Sequence, residues 1–207
     1  MFHLLLAHGA DIHAVEQRGK RQGDNALNFA CIRGDTKVIS FLVEHGLDAN
    51  VGGPISEAAS YGGVEDVRVL LKHGAKVGPN SPGSDALFNA IAESHFESAR
   101  LILRYGAAVN SKEYGPLAEA VSQGEVGMVL ELLKRGANVN TGEGEALLTA
   151  CRDCDEDLVE LLLEHGADPT LRADDGTTTI QATKQNADPL EDADGIIALL
   201  KDYGAKR

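Results

Sequence analysis

Seven glycines, each closing an apolar run with helical spacing, divide this 207-residue chain into similar segments. These closing glycines are Gly9, Gly46, Gly74, Gly106, Gly136, Gly166 and Gly204. A small alanine, here called the marker alanine, stands 16 residues before five of them: Ala30, Ala58, Ala90, Ala120 and Ala150. The distance from a closing glycine to the next such alanine varies instead from 12 to 21 residues. Packing units of constant length joined by variable loops predict a solenoid of stacked repeats.

Each 16-residue span predicts two short helices, broken near a midpoint residue that is Gly34, Gly62, Ser94, Gly124 or Cys154. The second helix carries apolar residues at helical spacing. We expect the buried stripes to be Val38, Phe41 and Leu42 in one repeat, Val67, Leu70 and Leu71 in another, and Leu158, Val159, Leu161 and Leu162 in a third. Because helices of about ten residues are marginal in isolation, each pair must bury its stripe against the next pair.

Two segments resemble the paired helices of the ankyrin-repeat family, namely residues 25–31 and residues 64–75. Residues 136–140 and 166–170 resemble the family's Gly-Ala-Asp-Val-Asn ending. The resemblance covers nearly the whole chain and implies an all-α solenoid of stacked helix-turn-helix units.

The array departs from the family pattern at the start of each repeat, in a way that resembles degenerate arrays of fungal proteins. The Thr-Pro-Leu-His opening is reduced in residues 25–28, 53–56, 85–88, 115–118, 145–148 and 177–180. We therefore expect the hydrogen bonds of its Thr and His to be mostly missing. The middle connectors are also short, so we expect short or absent β-hairpin fingers.

The spacing predicts three regions along the chain. Residues 1–17 form a partial repeat that lacks its first helix, because 16 residues before Gly9 lie beyond Met1; either the array was cut from a longer one or this is an incomplete cap. Residues 18–170 form five repeats. Residues 171–207 form an atypical capping repeat, in which Ala182 to Gly204 is six residues longer than the other spans, with an acidic insertion near residues 186–194.

Cysteines and histidines are the candidates for catalysis or metal binding. Cys151 and Cys154 have C-x-x-C spacing, but no second pair exists to complete a four-thiolate zinc site, so we interpret them as structural. Four histidines occupy one position before a closing glycine and are interpreted as helix-end residues: His8, His45, His73 and His165. With no phosphate loop, nucleophile elbow or H-E-x-x-H motif, we predict no enzyme, cofactor or metal.

The charge of the chain restricts its partners. A net charge of −13 with 4% aromatic residues disfavours nucleic acid and anionic membrane surfaces. No apolar run approaches the roughly 18 residues of a membrane span. We expect a monomer unless the exposed N-terminal edge pairs, with reduced thiols in the cytoplasm or nucleus.

The resemblance implies that a protein partner lies across the concave face, at the solvent-exposed ends of the first helices and at loop tips. The matching positions are Arg33, Tyr61, Glu93, Tyr114, Gln123, Arg152 and Asp153. Arg and Tyr are frequent interface hot spots, which favours Arg33, Tyr61 and Tyr114. The leading hypothesis is a protein-interaction scaffold or adaptor. The alternatives are the array portion of a longer regulatory protein, an accessory protein of a biosynthetic pathway, and a small thiol-dependent enzyme.

Overall fold

The computed structural model describes His8 and residues 11–14, 25–110, 115–186 and 193–205, and twelve helices lie in these ranges. They fall into two compact units, Met1–Ala108 (unit 1) and Val109–Arg207 (unit 2). Among the described residues, Arg172 and Thr178 form one isolated antiparallel β-bridge. The expected all-α fold with short or absent hairpins is confirmed.

Each unit is built from helix pairs. Unit 1 contains α1 (Ala26–Arg33), α2 (Thr36–Glu44), α3 (Pro54–Tyr61), α4 (Val64–Lys72), α5 (Ala86–Ala92) and α6 (Phe96–Arg104). Unit 2 contains α7 (Pro116–Ser122), α8 (Val126–Lys134), α9 (Thr141–Arg152), α10 (Glu156–Glu164), α11 (Thr179–Asn186) and α12 (Ala193–Asp202).

The helices stack in two rows within each unit. In unit 1 the first helices α1, α3 and α5 pack in succession, and so do the second helices α2, α4 and α6. In unit 2 α7, α9 and α11 pack in succession, and α10 packs against α12. Every first helix also contacts the second helix of its own pair. This is the nearest-neighbour stacking that the repeat spacing predicts.

The marker alanines lie where successive first helices meet. Ala30 is 5% exposed, and the other four are 0% exposed. A small side chain at this position lets neighbouring helices approach closely. The five markers therefore share one structural environment, as the constant spacing predicts.

A shared turn separates the two helices of a pair. In four of the five pairs the marker carbonyl accepts a backbone hydrogen bond from the residue five positions on, as Ala30 O does from Asp35 N (3.2 Å) and Ala90 O from His95 N (2.7 Å), whereas Ala58 O accepts from Gly62 N (2.9 Å). The midpoint residue is left-handed in four pairs: Gly34 (φ 65°), Ser94 (φ 58°), Gly124 (φ 65°) and Cys154 (φ 54°). Gly62 is extended instead, with φ −96°. The predicted breaks are confirmed, but the left-handed backbone at Ser94 and Cys154 was not predicted.

The expected stripe is correct for one second helix and wrong in part for two. Val67, Leu70 and Leu71 are buried. In α2 the buried residues are Ile39, Leu42 and Val43, whereas Val38 and Phe41 are half-buried and the Phe41 ring stacks on His45 with centroids 4.0 Å apart. In α10 Leu163 is buried and Leu161 is half-buried. In a short apolar helix, two sets of residues one position apart can each form the buried face. Packing against the neighbouring helix decides which set is buried.

The openings of the repeats retain more hydrogen bonds than we expected. Asn25 Oδ1 accepts from Leu27 N (2.8 Å) and Asn28 N (3.3 Å), while Asn28 Oδ1 accepts from Asn25 N (3.1 Å). Asn28 Nδ2 also donates to Gly52 O (2.9 Å) in the next connector. The expectation of missing bonds is therefore wrong at this opening, because two asparagines form a reciprocal capping box.

The first helix of the final pair, α11, begins one residue later than the spacing predicts. Thr178 N donates to Gln181 Oε1 (2.9 Å), and Gln181 N donates to Thr178 Oγ1 (3.1 Å), so this pair caps α11. Thr183, rather than Ala182, consequently stands five residues after the cap, at the marker position. Both are buried. Most of the acidic insertion and most of the partial first repeat lie outside the described residues, so the division into three regions stays a prediction.

Asparagines four residues after a closing glycine bridge neighbouring pairs. Asn140 Nδ2 donates to Gly166 O (3.0 Å), and Asn140 Oδ1 accepts from Asp168 N (2.8 Å). Asn50 forms the same two bonds with Gly74 O and Lys76 N in unit 1, and Asn110 forms them with Gly136 O and Asn138 N in unit 2. The side-chain amide thus satisfies backbone groups of the next closing turn.

Candidate functional site

Three of the predicted partner residues form a row in unit 1. Arg33 and Tyr61 are the last residues of α1 and α3, and Glu93 is the C-cap of α5. Because these helices pack in succession, the three residues follow one another along the same end of the unit. All three are exposed, and Tyr61 is 60% exposed. We call this set the unit 1 row.

The predicted residues of unit 2 are more constrained. Gln123, the C-cap of α7, donates from Nε2 to Glu119 Oε1 at 3.0 Å. Arg152 is half-buried, and its Nη1 lies 3.0 Å from Glu145 Oε1 in an ion pair. Asp153, the C-cap of α9, is exposed. Tyr114 lies outside the described residues.

A surface depression adjoins the unit 1 row. It has a volume of about 400 Å³ and lies between the α3–α4 turn and the α5–α6 turn. Its lining consists of Tyr61, Gly62, Gly63, Val64, Ser94, His95, Phe96, Glu97 and Ser98. Apart from Tyr61, none of these residues was predicted to take part in binding. The Gly-Gly pair at residues 62 and 63 was the feature that could have indicated a gap in the surface.

His95 holds the two turns of the depression together. Its Nδ1 lies 2.9 Å from Ala59 O. A carbonyl oxygen only accepts, so Nδ1 carries the proton and donates. The imidazole is half-buried, and His95 is the N-cap residue of α6. It therefore connects the second repeat of unit 1 to the third and keeps the walls of the depression in register.

Three of the four histidines that precede closing glycines are helix-end residues, as predicted. His45, His73 and His165 are C-caps of α2, α4 and α10. In each case Nδ1 lies 2.7–2.8 Å from the carbonyl oxygen four residues earlier. This bond satisfies one of the carbonyls that a helix end leaves unpaired.

Cys31 and Cys151 do not have the environment of reactive thiols. Cys151 is fully buried, and burial raises the pKa of its thiol from 9.0 to about 12. Burial likewise raises the pKa of the Cys31 thiol. Cys154 Sγ, half-buried, lies 3.8 Å from the carbonyl oxygens of both Cys151 and Thr183. A nucleophilic or redox thiol requires a lowered pKa, so this environment disfavours the thiol-enzyme alternative.

The acidic residues before α10 cap the helix. Asp155 is the N-cap, and its Oδ1 accepts from Leu158 N at 2.9 Å. Glu156 and Asp157 lie in the first turn, where they favour the helix dipole. In the part of the chain that the structure describes, no three His, Cys, Asp or Glu side chains are grouped so as to hold a metal ion. None of the described helices has the length and apolar character needed to cross a membrane.

The sequence of this chain is similar to those of ankyrin-repeat proteins. Residues 1–81 and 55–143 match a family model described as ankyrin repeats (3 copies), and residues 146–174 match a model described as ankyrin repeat. The ankyrin repeat and KH domain-containing protein mask-1 of Caenorhabditis elegans is 32% identical over 181 residues, 84% of this chain and 7% of the relative. Human ankyrin repeat and SOCS box protein 16 is 33% identical over 200 residues, 87% of this chain and 43% of the relative.

A solved structure shares the fold. The ankyrin repeat domain of human ASB11 superposes with a TM-score of 0.75 at 24% identity, covering 96% of this chain and 90% of that one. At this identity the likeness concerns the fold alone. The chain spans less than half the length of both curated relatives described above.

Proposed function

Because this chain belongs to the ankyrin-repeat family, we propose that it is a protein-interaction module that binds a protein partner through the unit 1 row. Ankyrin repeats are generally protein-interaction modules, and the fold is typically non-enzymatic. The row supplies the residue types that interfaces favour, Arg and Tyr, beside an acidic residue. The observation that carries the proposal is the 60% exposure of Tyr61 between Arg33 and Glu93.

An exposed tyrosine at this place has no role in folding that the structure reveals. Its neighbours Ala58 and Ala59 are buried and hold α3 in the stack, whereas Tyr61 ends the helix and points to solvent. A large side chain with two rotatable bonds gives much contact area at low entropic cost. Tyr61 is therefore the residue on which binding would depend most.

The variant that tests the proposal is Arg33→Ala combined with Tyr61→Ala. After affinity capture from the native host identifies a partner, its affinity is measured for the purified wild type and the variant. We expect binding to be lost, and the thermal unfolding midpoint to remain nearly unchanged, because both side chains are exposed.

The matched control is Tyr105→Ala. Tyr105 is 49% exposed and is the C-cap of α6, at the opposite end of that helix from the depression. We expect the Tyr105→Ala variant to bind the partner with the same affinity as the wild type. Equal affinity of the double variant and the wild type would refute binding through the row.

A second hypothesis, that the chain is the array portion of a longer regulatory protein, is favoured by its coverage of the relatives. It spans 7% and 43% of the two curated relatives, which carry further domains in their names. Upstream coding sequence that supplies a first helix for the partial repeat would support this hypothesis. We propose the cytoplasm or nucleus as its location, since none of its three cysteines forms a disulfide.

A further inference from the structure

We infer that the depression beside the unit 1 row binds an arginine side chain of the partner polypeptide. This inference rests on the proposed function and narrows it to a partner that presents a basic residue. The relevant lining groups are the aromatic side chains of Tyr61 and Phe96 and the carboxylate of Glu97. A guanidinium group stacks on aromatic rings and pairs with a carboxylate through two N–H groups, and its positive charge strengthens both contacts relative to a neutral group of the same shape.

The Glu97 carboxylate in the lining favours a cation, and Arg100, three residues further along α6, lies outside the lining. Glu97 is exposed in the first turn of α6, and Glu93, the C-cap of α5, is exposed on the other side of the α5–α6 turn. No Lys or Arg is among the described residues that line it. Arg68 of α4 is paired with Glu65, with Nε 3.0 Å from Oε2. Arg33 lies at the end of α1, beyond α3, and is not part of the lining.

The backbone keeps the depression open. Gly62 and Gly63 are extended, with φ −96° and −76°, and neither contributes a side chain. A Cβ on Gly62 would lie 2.7 Å from Asp66 Oδ2 and 2.9 Å from Ala58 O, so this residue must be glycine. A Cβ on Gly63 would meet nothing within 4 Å. Packing therefore does not require a glycine at residue 63, and the missing side chain leaves room for a ligand.

The size of the depression is compatible with a single side chain and its flanking backbone. Its volume of about 400 Å³ lies within the roughly 300–1,000 Å³ of ligand-binding clefts. The His95 bond to Ala59 O fixes the distance between its two walls. Fixed walls reduce the ordering that a ligand must impose on binding.

The test uses two synthetic peptides and the full chain labelled with ¹⁵N. One peptide is acetyl-Gly-Gly-Arg-Gly-Gly-amide, and the other has citrulline, the neutral analogue, in place of arginine. We expect the arginine peptide to shift the amide resonances of Gly62, Gly63, Ser94 and Glu97 in a saturable way. Citrulline should shift them much less. Absence of saturable shifts, or equal shifts with both peptides, would overturn the inference.

Two variants locate the binding. Gly63→Leu fills the depression at a position where the backbone accepts any residue, so the chain should fold and the peptide should no longer bind. Glu97→Gln should weaken binding by roughly two- to five-fold, the usual effect of an exposed ion pair. The control is Glu44→Gln, an exposed carboxylate at the end of α2, which should leave the affinity unchanged.

The same variants separate this inference from the proposed function. If Gly63→Leu retains the partner and Arg33→Ala with Tyr61→Ala loses it, the depression is not the arginine site, and the row still binds the partner. If both variants retain the partner, both proposals are wrong. If both lose it and the arginine peptide binds as expected, both are supported.

Discussion

Asn140 and Gly166 are 26 positions apart in sequence, yet the side-chain Nδ2 of the first donates to the carbonyl oxygen of the second at 3.0 Å. The same side chain accepts from the backbone N of Asp168. One amide therefore joins the closing turns of two successive helix pairs. The same bridge recurs at Asn50 and Asn110, so it is a repeated element of the stack.

Replacing Asn140 by alanine should destabilise unit 2. Two inter-repeat hydrogen bonds are lost, and we expect the free energy of unfolding to fall by about 1–2 kcal/mol. Urea denaturation followed by circular dichroism measures the change. Glu160→Ala, an exposed substitution on α10, is the control and should alter stability by less than about 0.5 kcal/mol. An equal effect of the two substitutions would contradict a role for the bridge.

Introducing the bridge where it is absent should stabilise unit 1. Gly78 stands four residues after Gly74, at the position that Asn occupies in three other repeats, and a Cβ there would meet nothing within 4 Å. We expect Gly78→Asn to raise the free energy of unfolding by about 1 kcal/mol, through bonds to the Gly106 turn. Gly78→Ala measures the separate contribution of restricting the unfolded chain. If the alanine variant is equally stabilised, no bridge has formed.

Two glycines in the turns between paired helices should have opposite effects on stability when each is replaced by alanine. Gly124 has φ 65° and Gly63 has φ −76°, and a Cβ at either position would meet nothing within 4 Å. Gly124→Ala should therefore cost about 1 kcal/mol of stability, because left-handed backbone disfavours a Cβ. Gly63→Ala should be neutral or slightly stabilising. Denaturant midpoints of the two variants give the comparison, and a similar loss in both would show that φ is not the cause.

Burial of Cys151 predicts a loss of stability at high pH. The folded thiol has a pKa of about 12 against an ordinary value of 9.0, so its contribution is complete below pH 9 and is lost as pH rises towards 12. The slope from this thiol is about 1.4 kcal/mol per pH unit between those values. Unfolding at pH 8 and pH 10 is compared for the wild type and Cys151→Ala. A smaller decline in the variant is expected, and identical declines would show that the thiol does not contribute.

The parts of the fold that depend on neighbouring residues in the chain were predictable. A closing Gly46 or Gly136 ends a helix through its own left-handed backbone, and a marker Ala30 or Ala120 lies 16 residues before it. The helix-end position of His45 follows from the same local pattern. The position of Tyr61 at the end of a first helix was predicted by the same repeat frame.

The parts that depend on particular side-chain pairings or on local backbone choices were not predictable. The sequence does not show that Ser94 adopts a left-handed backbone, or that Arg152 is held by Glu145. Nor does it show that Thr183 replaces Ala182 at the marker position, since that shift is set by the Thr178–Gln181 cap. The repeat pattern singles out neither the Arg152–Glu145 pair nor the Thr178–Gln181 cap.

For the described residues, the sequence by itself determined the order of the helix pairs, the small residues between them and their ends, because each of these is specified within one repeat of about 30 residues. Tertiary structure alone decided which stripe each short helix buries and which residues adjoin across a turn. The depression brings together residues 61–64 and 94–98, more than 30 positions apart in their midpoints. Their approach follows from the stacking of one helix pair on the next, and that packing is non-local.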